Sequence, residues 1–224
     1  MSIVSRRILF TLALVLFILP SCSRTTAQRG ANVLTDEEKR EGWKLLFDGA
    51  TTQGWRGAYM DSFPAKGWEV RDGMLRADLP DVKQAHSFLF AGDSTWTDYA
   101  VDFDVCGMRG VDKGVVVRVS RRHGLGVDLR GAEHQDVLLF VNEFPAGSSK
   151  VENANGSWHH VRVAIRGSAC RVTVDNRVVV DRHLLIKPPR RGGIALAAYA
   201  GGVGQCTVYY DNVVVMPLTA GGDP

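Results

Sequence analysis

The sequence predicts an all-β fold: a jelly-roll β-sandwich of two antiparallel sheets in a single domain. Three observations predict it. Roughly a dozen short runs alternate apolar with polar residues, turn residues separate these runs, and helical periodicity is almost absent. The composition is that of an ordinary globular chain, 45% hydrophobic and 23% charged over 224 residues. The formal net charge is +3 and no basic stripe interleaved with aromatics occurs, so nucleic acid is not an expected partner.

The elements follow in order. Thr35 before Asp36, Glu37 and Glu38 has the capping-box pattern and predicts one helical turn to Glu41. Between Gly42 and Leu75 three tryptophans, Trp43, Trp55 and Trp68, each follow a glycine. Asp72-Gly73 lies between two alternating runs, the strongest local signal for a tight hairpin whose two turn residues have positive φ. Strands are expected at Ser87 to Ala91, Tyr99 to Val105, Gly114 to Ser120, Leu125 to Arg130 and Val137 to Val141. The last of these is apolar on both faces, as in a strand covered on both sides. Pro145 to Gly156 reads as an irregular polar loop. Trp158 opens the next strand, with Val161, Val163 and Ile165 facing in, and Asp175-Asn176 marks a turn between Val172/Val174 and Val178/Val180. Pro188-Pro189 interrupts the pattern, and Ile194 to Ala198 and Val208 to Val215 close it.

The N-terminus predicts export. Arg6 and Arg7 precede an apolar run from Ile8 to Leu19, too short to span a bilayer comfortably, and the pattern reads as a signal peptide over residues 1–22. Leu19-Pro20-Ser21-Cys22 resembles a bacterial lipobox, which would acylate Cys22 and anchor the protein in the cell envelope, at the outer membrane or in the periplasm. Cleavage after Ala27 with ordinary secretion is the alternative. Residues 23–33 are then a tether, 34–218 the domain and 219–224 a disordered tail, and the membrane is a partner only through the lipid. Cys106, Cys170 and Cys206 remain; Cys170 and Cys206 share strand parity with apolar neighbours, which suits either small buried side chains or one disulfide.

Leu34 to Lys39, Gly42-Trp43 and Leu46-Phe47-Asp48-Gly49, continuing through Leu75, resemble the opening of the 3-keto-disaccharide hydrolase family, formerly a domain of unknown function. The resemblance implies a concanavalin A-like jelly roll and hydrolysis of a glycosidic bond. Gly156 to Val163 and Tyr210 to Val215 resemble the laminin-G and concanavalin A-like lectin superfamily at large. The chain departs from the family at two places. It has Asp112-Lys113-Gly114 where members carry Asn-Ser-Gly, and Gly126-Val127-Asp128 where they carry a Glu-aromatic-Gln run.

Asp102 and Asp104 alternate on one expected strand, so both carboxylates share a face about 7 Å apart, a pair able to divide acid and base roles in glycoside cleavage. The family has a Glu in the strand that carries Asp104. Arg118, Asp128 and Arg130 are polar where their neighbours are core, and Glu133 and His134 follow. If these strands are sequential neighbours, all converge with the aspartate pair on one face suited to sugar hydroxyls; a structural ion-pair network gives the same pattern. His159 and His160 face opposite sides of a strand and read as structural. Trp55, Tyr59, Trp68 and Trp96 are either a sugar-stacking platform or core plugs. No cofactor is expected; Asp48 and Asp211 are the candidates for a structural Ca²⁺. The expected function is an exported hydrolase acting on a 3-keto-glycoside or related carbohydrate, with Asp104 and Asp102 catalytic; the alternative is a non-catalytic carbohydrate-binding or adhesion module.

Overall fold

The structure is a computed structural model that describes residues 31–80, 85–120, 123–201 and 204–219. The leader with Cys22 and the last five residues of the tail lie outside the described residues. In chain order the elements are α1 (Asp36–Glu41), β1 (Lys44–Leu45), β2 (Arg56–Gly57), β3 (Trp68–Arg71), β4 (Met74–Leu79), β5 (His86–Ala91), β6 (Tyr99–Arg109), β7 (Asp112–Ser120) and β8 (His123–Arg130). They continue with β9 (Asp136–Val141), β10 (Phe144–Lys150), β11 (Trp158–Arg166), β12 (Ala169–Val174), β13 (Arg177–His183), β14 (Gly193–Tyr199) and β15 (Cys206–Pro217). One sheet runs β13-β12-β11-β6-β15-β4-β3, with β1 also on β15, and the other runs β10-β9-β8-β7-β14-β5-β2. All pairings are antiparallel.

Alternation dictates the core. Val101, Phe103 and Val105 of β6 meet Val115 and Val117 of β7, Leu125, Val127 and Leu129 of β8 and Leu196 of β14 in one cluster between the sheets. Thr35 caps α1 through its side chain and Glu38 answers with the reciprocal bond. Asp72 and Gly73 turn at φ 51° and 77°, and Asp175 and Asn176 at 49° and 63°, the left-handed region that two-residue hairpins need. The expected loop over 145–156 is corrected in part. Phe144–Lys150 is an edge strand, irregular between Pro145 and Gly147, that pairs only with β9. Its Pro, Gly and Ser residues hide it, and an edge strand tolerates them because one row of its backbone groups needs no partner.

The tryptophans resolve toward the core. Trp55 and Trp68 are buried, Trp96 packs edge-on against Tyr99, and Tyr59 is exposed. Cys170 and Cys206 are buried free thiols. β12 and β15, which carry them, are separated by β11 and β6, so no bridge joins them. Burial pushes each thiol up to about 12.

Candidate functional site

Topology divides the charged residues that the sequence groups together. β6 lies in the eight-stranded sheet, whereas β7 and β8 lie in the seven-stranded one. Asp102 and Asp104 therefore face away from Asp128 and Arg130 across the whole sandwich, which corrects the expected convergence. Residues 31–46 fold over that side, and Trp43 packs on Ala100, Ala164 and Val214 as a second small core. Beneath this cover Asp102 is fully buried and takes two bonds from Arg162, at 2.8 and 2.7 Å. Arg162 in turn stacks under the Trp43 ring at 5.1 Å. Asp104 bonds His160 Nδ1 at 2.8 Å and accepts from Asn212 Nδ2 at 2.7 Å. Asn212 and Asn32 exchange reciprocal bonds at 2.7 and 3.1 Å. Burial disfavours a charged His160, but its bonds to Asp102 and Asp104 overcome this and raise it to about 9. Asp102, Asp104, His160, Arg162, Asn212 and Asn32 bond one another, and the arrangement clasps the N-terminal segment to the sheet.

Arg118 is likewise corrected. The β7 ladder slips between Val117 and Ser120, and Arg118 adopts φ 52°, which turns its side chain from the sheet face into the interior. Its guanidinium donates at 2.6 Å to each of Thr97 O, Gly167 O and Asp98 Oδ1, tying the two sheets at one end. His159 points inward and bonds Asp175 at 2.7 Å, so the two histidines do face opposite sides. The Asp48 carboxylate is taken by Ala50 N, Thr51 N and Thr51 Oγ1 of its own loop, which holds it down at about 2. Asp211 is buried and accepts from Asn212 N. Among the described residues no three His, Cys, Asp or Glu side chains gather as metal ligands.

The open groups lie on the outer face of the seven-stranded sheet, where register aligns them in three rows. The first is Asp136, Arg130, Asp112, Tyr199 and His86. The second is Leu138, Asp128, Gly114, Ala197 and Phe88. The third is Phe140, Gly126, Val116, Ala195 and Phe90, with Arg56 beyond it at the edge. In the second and third rows the middle strands thus carry mostly glycine and alanine, below a wall of Leu138 and Phe140 on one side and of Phe88 and Phe90 on the other. With strands about 4.8 Å apart, β9 and β5 stand about 19 Å from each other, room for a sugar ring and its substituent. Phe140 leans over Gly126, and Arg56 stacks on Phe90 at 5.1 Å. Tyr210 crosses the core from β15 to brace this floor: its hydroxyl accepts from Gly114 N at 2.8 Å and bonds Gly114 O and Ala197 O.

Asp112 and Asp128 are diagonal neighbours on adjacent strands, with carboxyls about 7 Å apart by ladder geometry. Asp112 Oδ1 is buried with no hydrogen-bond partner. Burial pushes Asp112 up to about 6 against the pull of Arg130, His134 and Lys113. Asp128 is half-buried; enclosure first and the charge of Asp112 second push it up to about 8, with Arg130 opposing. Two carboxyls displaced to either side of neutrality on an open face can divide the roles of base and acid. Glu133 and His134 lie in the β8–β9 turn, 3.7 Å apart, at the Asp112 end. Of the residues singled out from the sequence, Asp128, Arg130 and His134 thus belong to this face. Asp112, Asp136, Phe88, Phe90 and Tyr199 were not expected in it. An open groove of about 580 Å³ lies round the adjoining edge, lined by Gln135, Lys150, Glu152 and Asp175 among others, and is separate from the acid pair.

Residues 42–216 match the 3-keto-alpha-glucoside-1,2-lyase-like domain. No curated protein matches by sequence. Among solved structures, a candidate glycosyl hydrolase from Parabacteroides distasonis is similar at TM-score 0.60 and 18% identity, over 85% of this chain and 100% of that one. The carbohydrate-binding module CBM66 from Bacillus subtilis gives 0.57 at 18% identity, over 73% and 95%. A prokaryotic β-1,3-1,4-glucanase (lichenase) from a mouse hindgut metagenome gives 0.59 at 12% identity, over 79% and 100%. These likenesses establish the fold, a concanavalin A-like jelly roll.

Proposed function

The chain belongs to the 3-keto-alpha-glucoside-1,2-lyase-like domain family, and from that membership we propose that it cleaves the glycosidic bond of a 3-keto-glycoside on the outer face of its seven-stranded sheet. A carbohydrate-related function is supported by the family and by the company of its fold; the assignment of chemistry rests on one observation. Asp112 and Asp128 share an open face with their carboxyls held on either side of neutral pH.

A keto group at C3 acidifies the hydrogen on C2. The Asp112 carboxylate takes that proton, and the C2–H pair becomes an enolate spread onto the C3 oxygen. The enolate collapses to a C1–C2 double bond and expels the C1 oxygen, which takes the Asp128 proton and leaves as an alcohol. Addition of water, hydroxyl to C1 and hydrogen to C2, completes a net hydrolysis. Arg130, opposite Asp112 and two residues along β8 from Asp128, is held by Asp136 and adds positive charge to this part of the face from that fixed position. Phe88, Phe90 and Tyr199 on one side and Leu138 and Phe140 on the other hold the apolar faces of the sugar and its substituent. The leader ending at Cys22 supports an exported, lipid-anchored protein.

A second reading, a glycan-binding module, is favoured by Gly126: it stands where the family carries a carboxylate, and Phe140 leans over it. One experiment separates the two. Turnover in D₂O by the elimination route places deuterium on C2 of the released 3-keto-sugar faster than the enzyme-free control, direct displacement leaves C2 protiated, and a binding module releases no alcohol while binding saturably.

A further inference from the structure

The opposite end of the sandwich carries a surface that the glycoside chemistry does not use. β13 ends at His183, Leu184 is anchored by its N–H to Ser168 O at 2.8 Å, and the next two side chains point outward. Leu185 is wholly exposed and Ile186 is 41% exposed. The β9–β10 turn reaches the same corner, because Arg182 of β13 bonds Ala146 O of β10, and it presents Phe144 at 65% exposure. Lys187 follows Ile186 directly and Arg190 and Arg191 follow within five residues of it, all exposed, and Glu143 precedes Phe144. The register of every ladder in the seven-stranded sheet puts Asp112, Arg130 and Asp136 at the far end of the strands from this corner.

We propose that this corner is a membrane-docking surface, in which Phe144, Leu185 and Ile186 enter the headgroup region of an anionic bilayer while Lys187, Arg190 and Arg191 pair with its phosphates. Loop tips that carry large aliphatic and aromatic side chains followed by exposed cations match the lipid interface, where apolar groups reach the acyl boundary and cations remain at headgroup level. A protein partner is a poorer fit: three side chains on two loop tips fall far short of the roughly 800 Å² per partner of a stable interface, and interface cores are depleted of lysine. Docking here turns the Asp112 end of the open face away from the membrane, toward soluble glycosides.

The test is sedimentation of the full chain with vesicles of phosphatidylcholine alone and of phosphatidylcholine with phosphatidylglycerol in equal parts, at low salt. The apolar Ile8 to Leu19 run is common to all variants, so only differences between them are read. Lys187→Glu/Arg190→Glu/Arg191→Glu should lose affinity for the anionic vesicles on the order of a hundredfold, and Phe144→Ser/Leu185→Ser/Ile186→Ser about tenfold or more. The depth of the loop is read separately: Leu185→Trp should gain fluorescence that brominated acyl chains quench, beyond the quenching of the unsubstituted chain. Equal binding by all variants together with no added quenching at position 185 would overturn the proposal, as would equal affinity of the unsubstituted loop for neutral and anionic vesicles.

Discussion

Arg130 faces Asp112 across the β7–β8 ladder yet gives both of its guanidinium bonds to Asp136, at 2.8 Å each. The nearest cation is thereby spent on a structural partner, and Asp112 keeps a buried oxygen with no hydrogen bond. Its carboxyl rises to about 6 while that of Asp128 rises to about 8. The proposed elimination needs Asp112 ionised and Asp128 protonated. The pH profile of kcat/KM should therefore be a bell whose acid limb lies near 6 and whose alkaline limb lies near 8. Asp112→Asn should lower kcat by at least about a hundredfold. A profile flat from pH 5 to 9 would remove the acid pair from the chemistry.

The same displacement has a stability consequence. Asp128 has a folded pKa of about 8 against 3.8 for an unperturbed Asp, so the protonated group favours the native state at low pH. That contribution is fully present below about 4 and is lost progressively as pH rises toward 8. Asp128→Asn should raise stability at pH 7, by up to about 4 kcal/mol at about 1.36 kcal/mol per unit, while removing activity. Urea midpoints at pH 5, 7 and 8 measure it, and the gain should grow with pH. A variant destabilised at every pH would mark Asp128 as a structural acid.

The clasp over the other sheet shifts in the same direction, over a higher pH window. His160 is raised to about 9, so its pairing with Asp102 and Asp104 stabilises the fold fully below about 6.5 and loses that contribution as pH rises through 9. The difference is on the order of 3 kcal/mol. His160→Gln should lower the thermal midpoint at pH 6 and lose that deficit by pH 10. Hydrogen exchange should quicken first in residues 31–46, which the clasp holds through Asn212 and Asn32.

Arg118 separates architecture from chemistry. Arg118→Met removes three bonds that tie Thr97, Gly167 and Asp98 to β7 and should cost about 3 kcal/mol of stability. Turnover per folded molecule should remain unchanged. A loss of kcat at full folding would return Arg118 to the site.

Much of this architecture is legible before any coordinates. Alternation places Val101, Phe103 and Val105 inward, the Asp72-Gly73 pair fixes the first hairpin, and Thr35 with Glu38 marks α1, because each is a local rule with a period of two or a cap with a fixed offset. The candidate site is less legible because strand parity says which residues share a face but not which strands share a sheet. Asp102 and Asp128 have the same parity signal and lie on opposite sides of the molecule. A bulge reverses the parity of Arg118. Asp112 and Tyr199 meet across the β7–β14 ladder although 87 residues apart in sequence, a closeness that no local pattern encodes.

The most direct measurement of the central claim is aglycone release from a panel of 3-keto-glucosides by the unsubstituted protein, Asp128→Asn and Asp104→Asn side by side. The acid pair of the seven-stranded sheet predicts release by the unsubstituted protein, loss of at least about a hundredfold in Asp128→Asn, and a kcat in Asp104→Asn within about threefold of the unsubstituted value. Release that survives in Asp128→Asn and disappears in folded Asp104→Asn would contradict it and move the chemistry to the opposite sheet.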